Sequence, residues 1–290
     1  MIKYKLVQCL NCDLVYIKNI PDNDYLRYFY DEVLNSQKWL SQFPEECNAH
    51  YYQQRNQQGA KGYEGYANKI KEHKQEGKIL DIGCGDACML RHFFSLDKWQ
   101  KYGCDISNKA YDFHQGKNNF IFFHGYLEEA KYPSDTFDVV TGFDVIEHVI
   151  DPMNLVKEIH RILKPKGLLV LHTVNIKSRE FKNHGVGWHQ ITPPGHLVYF
   201  SPKTIKKLLS KVGFNKIKID LRMELFSCSQ NERQDAQIQK SRTKVLVEKG
   251  GKQSFLKQYV KLLIRPLYNS LCQIKGKFIG KHDMTIYAVK

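Results

Sequence analysis

Residues 78–90 read KILDIGCGDACML. An apolar run ends in Asp81, two glycines follow at Gly83 and Gly85, and small Ala87 opens a segment of helical character. Glycine tolerates the backbone angles of a tight turn and lets a ligand approach the main chain, at the strand end where open α/β sheets bind their ligands. Short apolar runs then alternate with helical periodicity through KYGCD, FIFFHG, FDVVTG and GLLVLHTV, which predicts a mostly parallel sheet with helices on both faces. Two helices between or after them carry their own punctuation. DPMNLVKEIHRILK places Pro152 in its first turn and an apolar face at Leu155, Ile159, Ile162 and Leu163, and SPKTIKKLLSKVGF runs from Ser201 as cap to Gly213 as stop. KIKIDLRMELFS and the terminal DMTIYAVK add two late strands. The fold class expected is therefore α/β: a seven-stranded, mostly parallel sheet closed by a terminal antiparallel strand pair, with helices on both faces and an N-terminal cap segment.

The glycine turn selects its ligand by charge. A dinucleotide site wants a third glycine where this chain has Cys88, and it sets a pyrophosphate against the helix amides. Asp81 beside that turn repels phosphate. A carboxylate is better matched to S-adenosylmethionine, which carries an ammonium and a sulfonium and no phosphate. Asp105 ends the next strand, about 24 residues after Asp81, a spacing at which an acid can accept both ribose hydroxyls of an adenosine.

With these residues in place, the chain resembles the class I S-adenosylmethionine-dependent methyltransferases, of the group containing ubiquinone-biosynthesis O-methyltransferases and bacterial glycan-tailoring enzymes. The resemblance runs over about 78–225, through LDIGCGDA, YGCDIS, TFDVVTGFDVIEHVIDPMNLVKEIHRILKPKGLLVLHTVN and GHLVYFSPKTIKKLLSKVGF. It implies a Rossmann-like sheet and an S-adenosyl-L-methionine cofactor. It further implies that Asp81, Gly83 and Gly85 hold the methionine end, that Asp105 holds the ribose, and that Ile106 packs on the adenine. Tyr126 and Leu127 stand where the family contacts the adenine edge; an acid is common there, and Tyr126 in its place leaves a backbone amide as the contact that can still serve. The domain division expected is 1–75 as an N-terminal partial zinc-ribbon-like knuckle and helical cap, 76–228 as the cofactor-binding core, 229–280 as a basic amphipathic insertion, and 281–290 as the final core strand.

Methyl transfer from a sulfonium is an in-line displacement, and an acceptor of high pKa also needs a base. The turn after FDVVTG offers Asp144, beside the methionine end, then Glu147 and His148. Three roles are open to Glu147 and His148: base or acceptor contact, divalent-metal ligands, or a hydrogen-bonded pair at the helix entrance. In the ubiquinone-pathway relatives a Glu-x-x-Glu-His pattern is associated with a metal, and here Asp144 stands for the first Glu. The stretch NHGVGWHQITPPGHLVYFS, 183–201, reads as a loop over the site. Trp188, His189 and Tyr199 are its candidates for acceptor contact, and His196 joins Glu147 and His148 as a catalytic candidate.

YKLVQCLNCDLVYIKNIPDN resembles the second knuckle of a zinc ribbon that precedes this domain in many bacterial members. Cys9 and Cys12 supply half of a four-ligand site, and Cys47 with His50 offers an unconvincing completion. The formal net charge of +14 is unevenly placed: Lys and Arg match Asp and Glu up to residue 201, and the excess lies in the last third. QSFLKQYVKLLIRPLYNSL sets Lys257, Lys261 and Arg265 opposite an apolar face, the pattern of an interfacial helix or of one packed on its own core. No run approaches the roughly 20 apolar residues of a membrane span, and the start lacks a signal peptide. The expectation is a cytoplasmic enzyme that methylates oxygen on a small-molecule, glycan or lipid-linked acceptor, with peripheral contact to an anionic inner-membrane face. Nucleic acid is disfavoured as a partner for want of an RNA-binding module. An RNA methyltransferase and a catalytically inactive scaffold stay as alternatives, and zinc or another divalent metal is admitted without being favoured.

Overall fold

The apolar runs around the glycine turn form the centre of a seven-stranded sheet in the computed structural model, which describes residues 4–33, 62–116, 120–188, 190–222, 246–247 and 283–290. A hairpin, β1 (Lys5–Gln8) and β2 (Val15–Ile17), leads into α1 (Asn23–Tyr28), continued by a π-helical turn over Phe29–Val33. Helix α2 covers 62–73. Strand β3 (Gly77–Ile82), α3 (Cys88–Phe93), β4 (Trp99–Asp105), α4 (Asn108–His114) and β5 (Ile121–His124) follow. Then come β6 (Phe137–Phe143), α5 (Pro152–Ile162), β7 (Leu163–Val174) and α6 (Arg179–His184). The chain ends through β8 (Val198–Tyr199), α7 (Pro202–Val212), β9 (Asn215–Arg222), β10 (Leu246–Val247) and β11 (Asp283–Val289).

The large sheet has the order β5-β4-β3-β6-β7-β11-β9. Its first five strands are mutually parallel, and β11 runs antiparallel to both β7 and β9. The seven strands and the late antiparallel pairing agree with the sequence expectation. From β3 the chain winds one way to β4 and β5 and then returns to place β6 on the other side, so the β3/β6 boundary is the switch point where such sheets leave a crevice.

Burial on both faces explains why the central strands β3, β6 and β7 carry continuous apolar runs rather than alternating ones. Leu80, Val140, Leu169 and Ile286 pack with Leu155, Ile159 and Ile205 on one side, and Ile79, Val139 and Val170 pack with Tyr66, Ile70, Met89 and Trp99 on the other. Ser201 and Gly213 bound the later helix as expected, and α5 gains a cap not singled out from sequence, Asp151. Asp151 accepts from the amides of Met153 and Asn154, both at 3.0 Å, ahead of Pro152. Ser201 and Thr204 form a reciprocal capping box, and Gly213 ends α7 at φ 114°.

A second sheet, β10-β1-β2-β8, joins the N-terminal hairpin to the loop after β7. Its apolar cluster comprises Tyr4, Leu6, Ile17, Val174, Ile176, Trp188, Ile191 and Tyr199. Among the described residues no helix is long and apolar enough to cross a membrane. The amphipathic stretch within 229–280, Cys47, His50 and His189 lie outside the described residues.

Candidate active site

The crevice is built first by backbone. After Ile82 the chain turns at Gly83 (φ 62°) and Gly85 (φ 51°) into Ala87, itself left-handed at φ 52°. A Cβ on Gly83 would meet Val145 Cγ2 at 2.5 Å, whereas one on Gly85 would meet nothing within 4 Å. The first glycine is thus required by packing against the β6 turn, and the second leaves open space beside the main chain. Gly85 is pinned from two sides: its N–H donates to Asp105 Oδ2 at 2.9 Å, and its carbonyl accepts from His114 Nε2 at 2.8 Å. His114 is stacked against Phe120 and Phe122.

Two acids frame this loop. Asp81 is 6% exposed, and Thr141 Oγ1 donates to its Oδ1 at 2.6 Å. Burial pushes its carboxyl up to about 7, against the Thr141 hydrogen bond and with help from the charges of Asp105 and Asp86. Asp105, at the end of β4, accepts from Gly85 N–H through one oxygen and from Ser107 N–H at 2.9 Å through the other. Each oxygen keeps a second lone pair for a ligand. Ile106 lies partly exposed beside it. Leu127 is 2% exposed and packs into the core with Leu80, Ile82 and Cys104, so its backbone rather than its side chain is what it can present.

The turn after β6 carries the second group. Asp144 takes a left-handed conformation (φ 55°), its N–H donates to the carbonyl of His172 at 3.0 Å, and its Oδ1 lies 2.8 Å from His172 Nδ1. Burial opposes protonation of His172, but the hydrogen bond and charge of Asp144 prevail and lift it to about 9. Asp144 is thereby an ion-pair partner within the protein. Glu147 is fully buried, with the Thr173 hydroxyl beside its carboxylate. Burial, followed by the charge of Asp144, raises its pKa.

His148 Nδ1 lies 2.8 Å from the carbonyl oxygen of Gly195 and 2.7 Å from Tyr30 Oη. His196 Nδ1 lies 2.8 Å from the carbonyl oxygen of Gln190. The two imidazoles meet edge to face at 4.7 Å between centroids. A carbonyl only accepts, so each neutral ring carries its proton on Nδ1 and its lone pair on Nε2. Burial pulls His148 below its ordinary value. Glu147, His148 and His196 each offer one ligand atom, and these atoms lie within 4.8 Å of one another. Two imidazoles fixed through carbonyls and one carboxylate make a donor set suited to a divalent ion.

The structure thus brings Glu147, His148 and His196 together and sets Asp81, Gly83, Gly85 and Asp105 around the glycine turn. It puts Trp188, 1% exposed, and Tyr199 inside the small-sheet cluster, where the N-terminal hairpin covers them. Cys9 and Cys12 are free thiols in the β1–β2 turn and join no group of three metal-ligating side chains among the described residues. Two open surface depressions, one lined by Lys71, Arg91 and Trp99 and one by Gly77, Lys101 and Asp138, share no residue with this site.

Several contributors were not singled out from sequence. Thr141 lies within β6 in register with Asp81, and His172 lies within β7 beside Asp144, pairings that only the sheet brings together. Arg27, Tyr30 and Asp31 come from the N-terminal helix and its π-turn. Arg27 Nη2 lies 2.7 Å from both oxygens of Glu129 and its guanidinium covers the ring of Tyr126 at 4.8 Å. Asp31 accepts from the backbone and side-chain amides of Asn108 at 2.9 and 3.0 Å.

Residues 49–219 match a family model described as a methyltransferase domain. The chain is 29% identical over 172 residues to an arsenite methyltransferase of Homo sapiens, covering 52% of this chain and 45% of that protein. It is 32% identical over 108 residues to a ubiquinone biosynthesis O-methyltransferase of Bradyrhizobium diazoefficiens, covering 36% of this chain and 42% of that protein. The chain therefore spans a little under half the length of these relatives. A crystal structure of a SAM dependent methyltransferase from Archaeoglobus fulgidus shares the fold, with TM-score 0.51 and 20% identity over 83% of this chain and 100% of that one.

Proposed function

The chain belongs to the class I S-adenosylmethionine-dependent methyltransferases, and from that premise we propose that it transfers the cofactor's methyl group to a hydroxyl of a small-molecule, glycan or lipid-linked acceptor. The observation that carries the cofactor assignment is the buried Asp81 beside the open flank of Gly85. A desolvated carboxylate at that turn is stabilised by a cationic ligand and destabilised by a phosphate. Asp105 receives the ribose hydroxyls on its remaining lone pairs, and Ile106 packs on the adenine. The backbone at Tyr126 and Leu127 faces the adenine edge.

When bound, S-adenosylmethionine supplies an electrophilic methyl on a sulfonium. The protein's part is to hold the acceptor oxygen in line with it and to take the hydroxyl proton. His148 is the group for that proton: its Nδ1–H is engaged by Gly195, which leaves Nε2 as the nitrogen that would take the proton of an acceptor hydroxyl held beside it. His196 and Glu147 shape the same side of the crevice. Oxygen is favoured as the acceptor atom because a neutral imidazole matches a hydroxyl that must lose its proton, and because O-methyltransferases stand among the relatives. The Lys and Arg excess after residue 201 supports an anionic or membrane-associated acceptor reached from the cytoplasm.

A second reading of the same residues is favoured by one observation, the convergence of one ligand atom each from Glu147, His148 and His196 within 4.8 Å of one another. Glu147, His148 and His196 would hold a divalent ion, which when bound supplies Lewis acidity toward the acceptor oxygen. Incubation of the full chain with methyl-labelled cofactor and a small-molecule extract, with and without a chelator, tests both readings. Label transferred to a base-stable ether, lost in His148→Ala, supports the base role. Transfer abolished by chelator and restored by zinc or magnesium supports the metal role, and no transfer to any extract component contradicts the proposed activity.

A further inference from the structure

The N-terminal helix and the π-turn that follows it reach the active site at three points on one face. Arg27 and Asp31 are four residues apart and Tyr30 lies between them, a spacing that aligns side chains on one side of a helix. Arg27 holds Glu129 on the loop after β5, and Asp31 holds Asn108 at the start of α4. These are the loops that flank the nucleoside end of the cofactor site. Between the two anchors, Tyr30 turns inward to His148, which is 118 residues away in the chain.

We propose that Tyr30 is a positioning residue that holds the imidazole of His148 in one orientation and one tautomer for its work on the acceptor. This role rests on the reading of His148 as the acceptor-side base. Gly195 O stands 2.8 Å from His148 Nδ1 and has no proton to give, so the ring proton is on Nδ1. Tyr30 Oη, at 2.7 Å from the same nitrogen, is then a second acceptor for that N–H. The hydroxyl's own proton is directed to Gly195 O at 3.4 Å. Nδ1, Oη and the carbonyl oxygen form a closed triangle, which removes rotation of the imidazole and leaves Nε2 as the nitrogen with a lone pair. The aromatic ring of Tyr30 meets the imidazole edge to face at 5.9 Å and packs on Phe29 at 5.5 Å, so a phenylalanine keeps the packing and removes the oxygen alone. Because Arg27 and Asp31 fix the same face to the cofactor loops, seating of that helix and alignment of His148 are one event.

The test compares wild type, Tyr30→Phe and His148→Ala as full chains with S-adenosylhomocysteine bound and histidine labelled with ¹⁵N. In wild type the His148 Nδ1–H proton resonates downfield, with nitrogen shifts of an Nδ1-protonated ring. In Tyr30→Phe it moves upfield or is lost to exchange. Methyl transfer to a small-molecule extract falls about tenfold in Tyr30→Phe, while S-adenosylmethionine affinity, read by calorimetry, stays within about twofold. A wild-type ring protonated on Nε2, a Tyr30→Phe resonance that coincides with wild type, or a shifted resonance with undiminished transfer each overturns the proposal. Undiminished transfer in His148→Ala overturns the base reading instead, and the resonance comparison still decides whether Tyr30 holds the ring.

Discussion

Asp81 has a neutral hydroxyl, Thr141 Oγ1, as its hydrogen-bond donor, and burial holds its carboxyl up to about 7. In the ligand-free fold the protonated acid is preferred, so the folded chain binds more protons than the unfolded chain between the ordinary value of 3.8 and about 7. Its contribution to stability is therefore greatest at low pH and is lost as pH rises across that window. Binding of a cation runs the other way, because the ligand needs the carboxylate. Affinity for S-adenosylmethionine is predicted to rise about tenfold per pH unit up to near neutrality and then level off. Asp81→Asn should flatten that profile and weaken binding above pH 7, as calorimetry at several pH values will report. Asp105→Ala should cost on the order of 1.5–3 kcal/mol of cofactor binding, because it removes a charged acceptor and also frees Gly85 N–H; unchanged affinity would remove Asp105 from the site. Both acids were readable from their places after apolar runs. Tyr30 was not, because no local pattern encodes a hydrogen bond to a side chain 118 positions on.

Among the elements, α1 and its π-turn tie the N-terminal segment to the cofactor loops through groups that stay wet. Arg27 and Glu129 side chains are 38% and 48% exposed, so their pair contributes about 0–1 kcal/mol to folding. Arg27→Gln should consequently leave thermal stability almost unchanged while speeding cofactor dissociation several-fold, a difference that stopped-flow displacement and a melting curve together reveal. A large loss of melting temperature with an unaltered off-rate would mean that the pair supports folding only. Helix α7 behaves oppositely. Ser201→Ala removes the acceptor for Thr204 N–H in a buried capping box and should cost about 1 kcal/mol in denaturant unfolding. The start of α5 and the cap of α7 were legible because Pro152 and Ser201-Pro202 are local signals. The two-residue strand β8 was not, since it exists only by pairing with β2 across some 180 residues.

At the scale of the whole molecule, a long-range parallel sheet supports a crevice whose two halves are separately recognisable. The inner strands could be read because burial on both faces demands apolar runs, while the edge strands β5 and β9 are only half-buried and were read from their β-branched and aromatic content. The small sheet could not, because its strands are two to four residues long and drawn from distant segments. That sheet changes how the loop at 183–201 is understood: its Gly, Pro and aromatic content suggested a pocket wall, yet the hairpin buries Trp188 and Tyr199 and leaves His196 beside His148. The core itself sets the stability of the frame. Ile159 on α5 is fully buried against the sheet, and Ile159→Ala should destabilise by about 2–5 kcal/mol without altering the groups that face the ligand.

The crevice at the β3/β6 boundary is built to receive a cationic nucleoside and to reject a diphosphate. Titration calorimetry of the full chain at pH 8 against S-adenosylmethionine and, separately, NAD tests it most directly. Saturable binding of the sulfonium compound, weakened in Asp105→Ala, with no heat from NAD, is the predicted result; NAD binding with no heat from S-adenosylmethionine would contradict it.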